Sequence, residues 1–266
     1  MPDLATQRVL IYGGGELGTA TAHRLRLAGF QVAIAELAQP MAVCRALSLA
    51  HAIYQGEILV SSHADPPEAS VIRGRRADGV LQAENHLVEG WVPVIAEPSP
   101  AMVERLFPQV LIDATRPRQT RPPFTVDAAP VTLSLGPGRE AGKDVAAVVD
   151  TRIGPHLGAV YQSAAVPDAS SEPTDLHPVR VLRAPVSGIF MAYAEIGDAV
   201  AARDTLAMIG SHPLQAPQDG YVRGLLADGT TVRYEQVAAE LHLGGDEAGC
   251  FFISPWARAV AGGALE

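Results

Sequence analysis

Cysteine is scarce: Cys44 and Cys250 are the only two in 266 residues. They build neither a disulfide framework nor a Cys-x-x-Cys motif, a usage that suits a reducing compartment. Lysine is scarcer still, since Lys143 is the single one and every other strongly basic side chain is arginine. No apolar run approaches the roughly 18 residues that span a bilayer. The opening Met1-Pro2-Asp3-Leu4-Ala5 lacks the basic and apolar regions of a secretion signal. A soluble cytoplasmic protein with no membrane partner is expected. The formal charge of −9 argues against nucleic acid, whose phosphates want a basic face. His, Cys, Asp and Glu nowhere fall at metal-ligand spacing, and no Gly-x-Ser-x-Gly elbow marks a nucleophile.

What is present is apolar, 48% of the chain, enough for one large domain or two ordinary ones. The most informative stretch runs from Val9 to Glu36. An apolar strand, Val9 to Tyr12, leads into Gly13-Gly14-Gly15-Glu16-Leu17-Gly18, with Gly13, Gly15 and Gly18 at G-x-G-x-x-G spacing. Helical apolar spacing follows and stops at Gly29, and a second strand ends on Glu36. In such a unit the first glycine permits the turn, the second lets backbone approach a pyrophosphate, and the third lets helix and sheet pack closely. The helix N-terminus offers unpaired N–H groups, and Glu36 stands where a carboxylate accepts from ribose hydroxyls. Gly13 to Gly18 with Glu36 are therefore candidate dinucleotide-binding residues.

Gln39-Pro40 opens an expected helix through Leu49. Arg45 on it can meet a phosphate or stay a solvated helix arginine. Alternating strands and helices then reach the buried strand Val110 to Asp113. This order predicts a mostly parallel sheet, with Asp113 to Arg116 at the ligand-bearing carboxyl edge. Val131 to Leu135 empties into Gly136-Pro137-Gly138-Arg139-Glu140-Ala141-Gly142-Lys143-Asp144. The spacing is one residue off a P-loop, and Asp144 replaces the magnesium-binding hydroxyl. A loop offering backbone N–H groups to an anion, around Gly136 and Gly138, stays open.

The stretch from Ser163 to Pro178 is poor in apolar residues and reads as a linker. Beyond it, Ala184-Pro185-Val186-Ser187-Gly188 recurs 32 residues later as Ala216-Pro217-Gln218-Asp219-Gly220, and Val200 matches Val232. Two such halves resemble the barrel-sandwich fold of biotinyl and lipoyl domains. Where those carry the modified lysine, this chain has Met208-Ile209-Gly210, and no lysine follows Lys143. Covalent biotin or lipoate is excluded.

The Leu135-Gly136-Pro137-Gly138 to Asp144-Val145 loop, the lysine-free repeat, and the closing Cys250-Phe251-Phe252-Ile253-Ser254 and Ala261-Gly262-Gly263-Ala264-Leu265-Glu266 together define a resemblance. The chain resembles the accessory proteins of the selenium-dependent molybdenum hydroxylase system. Thr115-Arg116-Pro117-Arg118 departs from that family's pattern, as does the segment near Glu240-Leu241-His242. The resemblance implies an accessory function in molybdenum cofactor maturation, a client molybdenum hydroxylase as partner, and a dinucleotide-type ligand, either a molybdopterin dinucleotide or an NAD-like one. A conventional NAD(P)-dependent oxidoreductase and a non-catalytic adaptor are the alternatives, and a homo-oligomer is compatible with each. The expected fold is α/β: a Rossmann-like mostly parallel sheet domain over residues 1–165, a linker over 166–178, and a small all-β barrel-sandwich hybrid (biotinyl/lipoyl-like) with its C-terminal extension over 179–266.

Overall fold

The computed structural model describes residues 6–63, 70–115, 124–167 and 178–266. The first unit opens with β1 (Arg8–Tyr12), α1 (Glu16–Leu27) and β2 (Gln31–Glu36). It continues through α2 (Ala52–Gln55), β3 (Glu57–Ser61), β4 (Val71–Ala77), α3 (Val80–Val88), β5 (Val92–Ala96), α4 (Pro100–Leu106) and β6 (Val110–Asp113). It ends with β7 (Val131–Leu135), β8 (Ala147–Val149) and β9 (Val160–Tyr161). The second unit holds β10 (Val179–Arg183), β11 (Gly188–Ala192), β12 (Ala199–Val200), β13 (Thr205–Ile209) and β14 (His212–Gln215). β15 (Gly220–Leu225), β16 (Thr231–Val232) and β17 (Val237–His242) complete it, and α5 (Pro255–Leu265) closes the chain.

The first unit is a nine-stranded sheet in the order β3-β4-β5-β2-β1-β6-β7-β8-β9. Its middle strands are parallel and buried on both faces, which is why β1, β2 and β5 read as unbroken apolar runs. At its two ends β3 runs antiparallel to β4, and β9 to β8. Pro93 sits near the start of β5, paired with Arg75 of β4 just before pairing with β2 begins at Val94. α4 and α5 start alike. Ser99 and Ser254 each cap the helix by accepting from the backbone three residues on, and a proline follows at the first helical position.

The second unit consists of two four-stranded antiparallel sheets, β10-β17-β15-β12 and β14-β13-β11-β16. The 32-residue offset survives in the registers. Phe190 faces Ile209 across β11 and β13, and Val222 faces Leu241 across β15 and β17. Val200 pairs with Gly220, and Val232 with Gly188. The equivalence is imperfect in burial, for Val232 is fully buried and Val200 only partly.

The expected fold class requires correction. The large sheet is mixed, because an antiparallel pair stands at each end, β3 with β4 and β8 with β9. The all-β part is not a separate module appended to it. A single hydrophobic core runs from Val9 and Leu17 through Leu49 to Phe190, Leu225 and Val260. α5 returns from the second unit to pack on α1 and against β7 and β8. Gly263 makes this possible, since a side chain there would overlap the Gly158 carbonyl. The helix expected after Pro40 is also absent. Two 3-10 turns, Arg45–Leu47 and Leu49–His51, precede the short α2 instead. Val43 to Arg45 are drawn across to β15, where Leu225 N–H donates to the Val43 carbonyl at 2.9 Å. The expected linker lies largely outside the described residues. Among the described residues no helix is long and apolar enough to cross a membrane.

Candidate functional site

The glycine-rich turn is occupied by the protein itself. Gly14 N–H donates to Glu36 Oε2 at 2.7 Å, and Leu37 N–H donates to the other carboxylate oxygen at 2.8 Å. The Gly14 carbonyl accepts from Ala50 N–H at 2.9 Å and from Thr19 Oγ1 at 3.0 Å. A side chain at Gly14 would meet the Ala50 backbone, and one at Gly18 would overlap the Gly13 carbonyl. Only Gly15, the N-cap of α1, faces open space, while Leu17 is buried in the core. Burial raises the Glu36 pKa, and the two N–H donors lower it without cancelling that effect.

Asp113 and the Gly136–Gly138 loop do come together. Asp113 is buried and accepts from Arg139 Nε at 2.8 Å and from Thr115 Oγ1 at 2.6 Å. Arg139 lies over the Phe124 ring and donates to the Phe124 carbonyl at 3.0 Å. Gly136 turns at φ +81° directly against Thr151, a conformation and a clearance that require glycine. These contacts tie a loop to the sheet edge. Arg116 lies outside the described residues.

Glu16 and Arg45 point elsewhere. Arg45 Nε donates to the Leu225 carbonyl at 2.9 Å, joining the two units. Glu16 reaches Arg223 Nη2 on β15 at 2.7 Å and accepts from Ser254 N–H at 3.0 Å. Arg223 is 1% exposed and also reaches Glu240 on β17 at 2.8 Å and Cys44 Sγ at 3.0 Å. Burial works against its charge, yet the carboxylates of Glu16 and Glu240 hold its pKa well above the usual guanidinium value. Burial pushes the Cys44 thiol well up, overriding the pull of Arg223. Cys44 is therefore a protonated thiol donating to Glu240 Oε2 at 2.9 Å. Burial likewise raises Cys250 to about 11. Neither is an activated nucleophile.

Above Arg223 a cleft of about 300 Å³ opens between the units. His63, Arg223, His242 and Arg258 bring nitrogen donors to it, with Ser62 and Ser254 beside them. Pro178, Val179, Phe252, Ile253 and Pro255 form apolar walls. No described residue lining it is a carboxylate. Arg258 Nη1 donates to the Ser62 and Ile253 carbonyls at 3.1 and 3.0 Å, and no acidic side chain among the described residues pairs with it. The His242 ring is held between Gly244 and Gly249, where any side chain would overlap it. Burial and then Arg223 lower its pKa, so the imidazole is neutral at neutral pH. Ser62 Oγ lies 2.7 Å from His63 Nδ1. No group of three or more His, Cys, Asp or Glu among the described residues could hold a metal ion.

Sequence inspection missed Arg223, Arg258 and His63 and met His242 only in the segment that departs from the family pattern. The available signal was Arg223 and Glu240 as single charges inside the apolar runs of β15 and β17. Burial of either is expected only with a partner.

No protein-family model matches the chain. The chain is 35% identical over 266 residues to the uncharacterized protein YqeB of Escherichia coli (strain K12). The match takes in 98% of this chain and 47% of YqeB, so the chain spans about half the length of this curated relative. Among solved structures, an aspartoacylase family protein from Mesorhizobium loti is 13% identical, with a TM-score of 0.26 over 90% of this chain and 86% of that one. A putative succinylglutamate desuccinylase/aspartoacylase family protein from Shewanella amazonensis SB2B is 14% identical, with a TM-score of 0.25 over 89% and 90%. Likeness this faint transfers neither fold nor activity to this chain. None of these proteins is described as an accessory protein of the molybdenum hydroxylase system. The expected family and its maturation function are corrected accordingly. The expected dinucleotide ligand, molybdopterin or NAD-like, is corrected with them: Glu36, which was to meet ribose hydroxyls, accepts instead from Gly14 N–H and Leu37 N–H, one with each carboxylate oxygen.

Proposed function

We propose that the protein binds a small organic anion in the cleft between its two units. One observation carries this: four nitrogen-bearing side chains, His63, Arg223, His242 and Arg258, line a cavity with apolar walls and no described carboxylate, on a chain whose net charge is −9. The volume, about 300 Å³, lies at the small end of ligand pockets. Arg258 supplies the charge, its side chain already pinned by two backbone carbonyls. Such pinning reduces the entropy lost on binding. The neutral His242 adds a donor, His63 lies beside it, and the apolar walls hold the ligand's body.

Isothermal titration calorimetry with benzoate, phenyl phosphate and the neutral benzamide tests this. At least one of the two anions should bind saturably below about 10 mM and benzamide should not. Arg258→Gln should weaken that binding by roughly ten- to a hundredfold, as loss of a charge-assisted hydrogen bond does. If neither anion exceeds benzamide, the cleft is not an anion site.

A further inference from the structure

We propose that His242 takes up a proton as an anion enters the cleft, so that the ligand is held more tightly in mildly acidic solution; this rests on the cleft being an anion site at all. His242 is the last residue of β17 and lines the cavity together with Arg223 and Arg258. A cavity of about 300 Å³ leaves a bound anion no place remote from any of its walls. The ring cannot turn away from it, because Cε1 and Nε2 are packed between Gly244 and Gly249, neither of which has room for a methyl group. Among the described residues no hydrogen bond engages either ring nitrogen. No described residue lining the cavity is a carboxylate, so a proton on the ring has no countercharge in the lining until an anion supplies one.

The groups around the ring set its resting state. β15 brings Arg223, and its Tyr221 stands opposite His242 in the register. β10 brings Val179, which carries no charge. The turn after β17 brings Asp246, and the 3-10 turn Glu247–Cys250 meets the ring through Gly249. Arg258 of α5 and His63, which follows β3, line the same cavity. Burial and then Arg223 disfavour the charged ring, and Asp246 only partly offsets them. Without an anion His242 is therefore neutral at neutral pH. An anion beside the ring favours its charged form and raises its pKa. Between the two values, binding draws one proton from solvent onto a ring nitrogen. Affinity rises as pH falls through the higher, anion-bound value and levels off below the lower, free value.

Calorimetry with benzoate and phenyl phosphate from about pH 8 down to about pH 6, where an imidazole titrates and a carboxylate does not, tests this. The affinity of the unmodified chain for benzoate should rise by about threefold or more across that range, and by no more than about tenfold per pH unit, the limit for one proton. His242→Gln should flatten the profile, whereas His63→Gln should leave its slope. Phenyl phosphate itself titrates near about pH 6, so for that ligand the slope lost on His242→Gln is the readout. Asp246→Asn, at an exposed position, should move the rise to lower pH with either anion; if His242→Gln fails to fold, an unmoved profile in Asp246→Asn overturns the proposal. A flat benzoate profile on the unmodified chain, a slope that survives His242→Gln, or one that His63→Gln abolishes overturns the proton uptake and leaves the anion site standing. If neither anion binds better than benzamide, the anion site itself is lost, and the proton uptake with it.

Discussion

At the scale of single residues, Glu36 shows how one carboxylate can serve the fold rather than a ligand. It satisfies Gly14 N–H and Leu37 N–H at the end of β2, and burial still raises its pKa. A raised pKa means that the folded chain holds this proton more tightly than the unfolded one. Its contribution is therefore fully present below the usual carboxylate range and falls as pH rises through the raised value. Glu36→Gln removes that pH-dependent part and adds a constant cost, since its amide N–H₂ must face one of the two donors. Urea midpoints of parent and variant, measured from about pH 4 to pH 8, should shift in the variant's relative favour as pH rises. A constant gap across that range would show that Glu36 titrates as it does in the unfolded chain.

At the scale of elements, α5 ties the structure together. Trp256 is buried and donates from Nε1 to the Thr151 carbonyl at 2.8 Å, while Ala257, Val260 and Ala261 complete its packed face. Trp256→Ala empties a large volume and orphans that carbonyl, and should destabilise the chain by about 3–5 kcal/mol. Trp256→Phe should cost less, because the ring survives and only the hydrogen bond is lost. Chemical denaturation of both variants measures the difference; equal effects would place the energy in the hydrogen bond rather than in packing. α5 also shows what sequence conveys and what it hides. Ser254-Pro255 marks its start by the same capping chemistry as Ser99-Pro100. Nothing local reveals that its small residues pack on α1, since that contact is set by the whole chain's path. The strand-helix-strand order of Val9 to Glu36 was legible because its periods are local. The ligand assigned to it was not, because Ala50 and Glu16's partner Arg223 are distant in sequence. The cleft stayed hidden for the same reason: it draws on four separated stretches of chain.

At the scale of the whole molecule, the two units are expected to unfold together. One core links both units, and the buried group Glu16, Cys44, Arg223 and Glu240 crosses between them. Removing one member of such a group leaves a buried charge without its partner, which couples the halves beyond their apolar contact. The expected outcome is a single thermal transition whose calorimetric and van't Hoff enthalpies agree. Two resolved transitions, with the second unit melting apart from the first, would show that the shared core contributes little coupling. The internal repeat fits the same picture, for each half lends its two-residue strand to the other: β12 pairs with β15, and β16 with β11.

The return of α5 to α1 has a consequence for the chain while it is being made. Synthesis runs from the N-terminus, so α1 and the parallel strands leave the ribosome long before residues 255–265. Throughout that interval the side of α1 that will meet α5 has no cover, and neither do the sheet positions on β7 and β8 beneath that helix. Folding of the first unit is thus held open by the order of translation, with an apolar seam exposed to whatever binds nascent chains. Only when the Trp256 segment emerges can it close.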